Sequence, residues 1–148
     1  MKKLLIVLAG IAALLVVTPL TACSPAATLS ITRGEMEQAE DDSGGIITRQ
    51  LELKAGDRFD VVLYAHRSAG LEWSAIIDDS GIVRRESRKF TSDAPPDTDG
   101  GPGHEEWSFK ALTEGTAIIK MTYKTISYKA EAPFVANTLI IEVLVSRD

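Results

Sequence analysis

Along most of the chain, apolar and polar residues alternate with a period of two. That pattern puts successive side chains on opposite faces of an extended strand. Phe59, Val61 and Leu63 share one face, and Asp60, Val62 and Tyr64 the other. The same alternation runs through 72–77 (Trp73, Ala75, Ile77), 106–111 (Trp107, Phe109, Ala111), 117–123 (Ala117, Ile119, Met121, Tyr123) and 139–146 (Leu139, Ile141, Val143, Val145). Weaker strand patterns occupy 28–32, 46–53 and 82–90. Turn-forming clusters separate them: Lys54-Ala55-Gly56-Asp57, Asp78-Asp79-Ser80-Gly81 and Thr113-Glu114-Gly115-Thr116. Seven or eight short strands with no convincing helix predict an all-β, immunoglobulin-like β-sandwich, with a closed barrel as the alternative. The acidic stretch 35–45 (EMEQAEDDSGG) reads as a loop or flexible connection. The stretch 92–103 holds three of the six prolines and three of the eleven glycines, which no helix or interior strand tolerates.

The first 22 residues follow a different pattern. Met1-Lys2-Lys3 is a short positive segment, 4–17 is a continuous apolar run, and small residues follow Pro19. This reads as a secretory leader, too short to span a bilayer comfortably. Leu20-Thr21-Ala22-Cys23 resembles a bacterial lipobox, and Cys23 is the only cysteine of the chain. That resemblance implies cleavage before Cys23 and attachment of acyl chains to it; two or three such chains anchor a protein stably. The expected location is the cell envelope, exported and lipid-anchored. The expected segments are a leader at 1–22, a tether at 23–45 with a first strand and an acidic linker, and the sandwich at 46–148.

Composition narrows the function classes. The 148 residues carry a net charge of −5; without the two leader lysines, 14 basic and 21 acidic residues remain, a net of −7. A basic footprint for nucleic acid is absent. One cysteine excludes disulfides within the chain and multi-cysteine metal sites. His66 and His104 are the two histidines, and both fall in predicted loops. Asp93, Asp97 and Asp99 resemble a calcium loop only in composition, because the sixth and twelfth positions hold Thr98 and His104. No nucleophile elbow, phosphate-cradling loop or His-Glu-Xaa-Xaa-His occurs. The chain is read as a non-enzyme that needs no cofactor.

Binding function then rests on loops held by a rigid scaffold. The first is 65–73, with Gly70 before Trp73; the second is 99–103; the third is 124–137, with Tyr128, Pro133 and Phe134. Three segments occur in an order that resembles the chagasin-like cysteine peptidase inhibitors: Gly70-Leu71-Glu72-Trp73, then Gly100-Gly101-Pro102-Gly103 with Trp107-Ser108-Phe109-Lys110-Ala111, then Gly115-Thr116-Ala117 running to Tyr123. Ala55-Gly56-Asp57-Arg58-Phe59 matches the family's usual opening. The resemblance covers roughly 53–145. It implies an immunoglobulin-like sandwich whose three loops plug the active-site cleft of papain-like cysteine proteases, reversibly and by steric occlusion.

Carried over residue by residue, the resemblance assigns protease binding to Ser68, Ala69, Gly70 and Leu71 of the first loop, to Gly100, Gly101, Pro102 and Gly103 of the second, and to Thr125, Ile126, Ser127 and Tyr128 of the third. The chain departs from the family's Asn-Pro-Thr-Thr before the glycine, which is His66-Arg67-Ser68-Ala69 here. The family's Arg-Pro-Trp falls on Thr125-Ile126-Ser127, with Tyr128 next. The expected partners are a papain-like protease and, through Cys23, the membrane. The alternative is a non-enzymatic envelope binding module that uses the same loops for a protein or glycan. The inhibitor reading requires Gly70, Gly101 and Ile126 to meet at one end of the sandwich.

Overall fold

The structure is a computed structural model; it describes residues 25–96, 98, 100–126 and 134–147. The leader, Cys23, Ser127 and Tyr128 lie outside the described residues. Eight strands and one helix follow in order: β1 (Ala27–Ile31), α1 (Arg33–Ser43), β2 (Ile46–Lys54), β3 (Arg58–Ala65), β4 (Leu71–Ile77), β5 (Val83–Ser92), β6 (Gly103–Ala111), β7 (Gly115–Thr125) and β8 (Val135–Ser146). A single 3-10 turn, Arg67–Ala69, sits between β3 and β4.

The strands form two four-stranded sheets, one in the order β1-β3-β6-β5 and the other β2-β8-β7-β4. This is an immunoglobulin-like sandwich, as the alternation predicts, rather than a closed barrel. The inward residues are those the period of two assigns. Phe59, Val61, Leu63, Trp73, Trp107, Phe109, Ile119, Met121, Leu139, Ile141 and Val143 are all buried. Phe59 stacks on Phe109 with ring centroids 5.2 Å apart, and Trp73 on Tyr123 at 5.0 Å. Such pairs add to the area they bury, which stabilises the core without a disulfide.

The acidic stretch 35–45 is not a loop, and the strand expected at 28–32 is present as β1. β1 pairs in parallel with β3, Ile31 opposite Leu63, and residues 33–43 form α1. Thr32 and Glu35 make a reciprocal capping box. Glu35 carries a depressed pKa, first because the Thr32 N–H donates to its carboxylate and then through Arg49. Gly44 closes the helix in the left-handed region at φ 62°. Met36 and Ala39 are buried, so one turn-spaced apolar pair fastens an otherwise polar helix to the sandwich. Among the described residues, no helix is long and apolar enough to cross a membrane.

The topology gives the molecule two distinct poles. β3 ends at Ala65 and β4 begins at Leu71, while β5 ends at Ser92 and β6 begins at Gly103. β7 ends at Thr125 and β8 begins at Val135. All three connections therefore fall at the same pole. α1 joins them there, because β1 runs parallel to β3 and β2 parallel to β8. The other pole holds the turns after β2, β4 and β6, and the start of β1.

Candidate functional site

The first connection is the keystone of the loop pole. Its chain turns back through the 3-10 turn and leaves through Gly70, at φ 74°, a conformation that L side chains rarely adopt. Both shoulders are fixed to the core. The His66 N–H donates to the Tyr123 hydroxyl at 2.8 Å, and the Trp73 indole N–H donates to the Tyr64 carbonyl at 2.9 Å. Burial pushes the Tyr123 phenol up from its ordinary value.

The other two connections are tied to this one. The Gly101 N–H donates to Ser68 Oγ at 2.9 Å, and the Ile126 N–H donates to the Gly70 carbonyl at 2.8 Å. Gly70, Gly101 and Ile126 therefore meet at one end. Gly100 is packed so closely that an added Cβ would lie 2.9 Å from that of Ser68. The Ser68 hydroxyl is thus turned toward the second loop.

A cluster that the sequence reading missed secures the first loop from beneath. Glu105 is fully buried on β6. Arg88 grips it through two hydrogen bonds, at 2.9 and 3.0 Å, Arg67 reaches it from the loop at 3.2 Å, and the Trp107 indole N–H donates to it at 3.1 Å. Arg88 also lies over the Trp107 ring, 4.6 Å from its centroid, and Arg67 over the Phe90 ring at the same distance. Four donors on one carboxylate offset its desolvation, and three of the four come from two arginines, Arg88 on β5 and Arg67 in the first loop. A signal for this was present: the period of two puts Glu105 on the same face as Trp107 and Phe109.

Some residues assigned to loops belong to strands. Leu71 opens β4, Gly103 opens β6 and Thr125 ends β7. Gly103 is buried, and a side chain there would run into the Thr91 carbonyl oxygen and the Phe90 ring. Ser68, Ala69, Gly100, Pro102 and Ile126 lie at the loop pole. Phe134 also lies there, exchanging hydrogen bonds with Thr125: its N–H donates to Thr125 Oγ1 at 3.0 Å, and its carbonyl accepts from the Thr125 N–H at 3.0 Å. Phe134 is 67% exposed.

The histidines do not form a metal site. His104 pairs with Asp93 at 3.2 Å, and among the described residues no cluster of three or more His, Cys, Asp or Glu could hold a metal ion.

An immunoglobulin-like sandwich whose second and third loops are each bonded to the first at one pole has the form of a loop-presenting protein. The model of the chagasin family peptidase inhibitor I42 matches residues 52–136, more than half of the chain, and the chain belongs to that family of inhibitors, which are not enzymes. A comparison with curated proteins finds no match. Among solved structures, the chain is similar to the cysteine protease inhibitor EhICP2 from Entamoeba histolytica, at 19% identity and a TM-score of 0.56, over 83% of this chain and 100% of that one. It is similar to PbICP-C, solved in complex with falcipain-2, at 16% identity and a TM-score of 0.55, over 80% and 98% of the two chains. It is also similar to Amebosin, at 17% identity and a TM-score of 0.52, over 83% and 100%. At these identities the likeness is one of fold.

Proposed function

We propose that this protein is a reversible, steric inhibitor of papain-like cysteine proteases, displayed on the cell envelope by a lipid on Cys23. The observation that carries the reading is the convergence of Ser68, Gly70, Gly101 and Ile126 through hydrogen bonds at one pole of a chagasin-family fold. The complex of PbICP-C with falcipain-2 supports a protease of that class as partner. Loops fixed to one another lose little conformational freedom on binding, which leaves more of the contact energy as affinity. No group in the reading attacks or is attacked; the loops fill the cleft and exclude substrate. Phe134 supplies the exposed aromatic that such interfaces favour as an anchor.

The polarity of the fold suits a membrane-bound inhibitor. The chain enters β1 at the pole opposite the loops, where the Ala26 N–H donates to the Arg58 carbonyl. Three residues separate Cys23 from Ala27, which starts β1. Strands of eight to twelve residues span about 25–40 Å. An anchor on Cys23 would hold the plain pole against the bilayer and point the loops away from it.

The test is competitive inhibition of papain by the chain from residue 23 onward. Tight inhibition supports the reading. A folded chain that leaves papain fully active at micromolar concentration favours the second reading, an envelope binding module for another protein. The observation that favours that alternative is the Ser68 hydroxyl, which accepts from the Gly101 N–H and so is engaged within the pole.

A further inference from the structure

β7 and β8 pair residue for residue from Gly115 opposite Val145 to Tyr123 opposite Asn137; the register then shifts, and Lys124 lies opposite Val135. Ala136 is the extra residue of β8, and such a bulge bends its strand and re-aims the side chains next to it. Beyond the bulge, an unequal pair of bonds joins the two chains. The Thr125 N–H donates to the Phe134 carbonyl at 3.0 Å, but the return bond runs to a side chain: the Phe134 N–H donates to Thr125 Oγ1 at 3.0 Å. Thr125 is itself fixed from the other side, where it lies opposite Leu71 of β4 and the Ile126 N–H donates to the Gly70 carbonyl. Branching at Cβ restricts the threonine χ1, so the hydroxyl is a stiff support. What it supports is apolar and outward. Phe134 is 67% and Val135 45% exposed, and of the described large apolar residues that are exposed these two alone adjoin in sequence.

The geometry points to Thr125 as a positioning residue: its hydroxyl sets the direction in which the chain enters β8, so that Phe134 and Val135 form one apolar corner of the loop pole for the bound protein to bury. Thr125 then acts through Phe134 and not by touching the partner, a role different from the contact that the resemblance assigns to it. An aromatic side chain whose backbone is already held loses less freedom on binding, which leaves more of its contact as affinity. The bond is exposed, so its loss releases an N–H to water and costs the fold little, while it lets the corner move. Identifying the bound protein as a papain-like protease rests on the proposed function, so the support and the inhibition are read separately.

The support is read in the chain of residues 23–148 by exchange of the Phe134 amide hydrogen. Exchange about ten-fold faster in Thr125→Val than in wild type, restored by Thr125→Ser, is expected, because valine keeps the shape and lacks the acceptor. Equal exchange in all three overturns the inference. Inhibition is read as a double-mutant cycle on Ki for papain. Thr125→Val is expected to raise Ki about five-fold, the factor of one ordinary hydrogen bond, with Tm little changed. Thr125→Ser should restore the wild-type Ki, and Thr125→Val should have no further effect in the Phe134→Ala background. The same fold increase in that background shows a merely structural role and overturns the inference. Wild-type inhibition with an unchanged Ki for Thr125→Val overturns it alone and leaves the three-loop reading standing. A folded wild-type chain that fails to inhibit papain overturns the proposed function and this inference with it.

Discussion

The two poles of this sandwich are closed in different ways. At the plain pole, backbone bonds join the turns to distant strands, as from the Gly56 N–H to the Ala111 carbonyl and the Ala55 N–H to the Ser146 carbonyl, and the side-chain bonds of the turns are mostly exposed. The Lys54 N–H donates to the Asp57 carboxylate at 2.9 Å, and the Gly81 N–H to the Asp79 carboxylate at 2.8 Å. At the loop pole, the decisive bonds join distant parts of the chain. Gly101 and Ser68 are 33 residues apart, Arg67 and Glu105 are 38, His66 and Tyr123 are 57, and Asn137 and Met36 are 101. Exposed side-chain bonds such as those of the plain pole can be changed at little cost. The loop pole rests on the buried Glu105 and Tyr123, which hold separate connections in one shape, and that is what a surface complementary to a cleft requires.

The sharpest way to break the comparison is Glu105→Ala. It strands Arg67 and Arg88 and should cost about 3–5 kcal/mol, seen as a large fall in the denaturation midpoint, with loss of inhibition. Phe134→Ala should behave differently. Its ring is exposed, so Tm should hardly move, while Ki for papain rises about 10–100-fold, the range of an aromatic anchor. Ser68→Ala removes the bond that joins the first two loops and should lower stability by about 1 kcal/mol and raise Ki by a larger factor than that loss implies. Asp57→Ala at the plain pole should cost a similar ~1 kcal/mol with Ki unchanged. An effect on Ki equal to that of Ser68→Ala would erase the distinction between the poles.

The smallest expected effect concerns acid. The Glu35 carboxyl titrates below its ordinary value, chiefly because the Thr32 N–H donates to it. A carboxylate with a depressed folded pKa stabilises the fold above its unfolded pKa, about 4.3, and loses that contribution as pH falls through the lower folded value. Glu35→Gln should therefore lower Tm near neutral pH and converge on wild type in strong acid. A constant gap at every pH would show that the capping carboxylate does not act through its charge.

The contrast between the poles also explains what could be read from the sequence. The strands were legible because one face of each packs in a core, which forces alternation, as at Phe59 to Leu63 and Ala117 to Tyr123. The turns at the plain pole were legible because turn-forming residues mark them in the sequence, as at Gly56-Asp57 and Asp79-Ser80-Gly81. α1 was not, because nine of its eleven residues are unburied and only Met36 and Ala39 mark its inner face. The Thr32-Xaa-Xaa-Glu35 spacing and Gly44 were the available signs. The Glu105 cluster depends on Arg67 and Arg88, which lie 38 and 17 residues away, so no spacing rule joins them. Gly103, assigned to the second loop, is packed against Thr91 of the neighbouring strand, a closeness that only the strand pairing reveals. The meeting of Gly70, Gly101 and Ile126 is a property of the topology.

The most direct measurement is the titration of papain of known active-site concentration with the chain of residues 23–148, followed by residual activity. The account predicts competitive inhibition in the nanomolar range, relieved on dilution, with papain recovered uncleaved and unmodified. Full papain activity at micromolar concentrations of folded chain would contradict it.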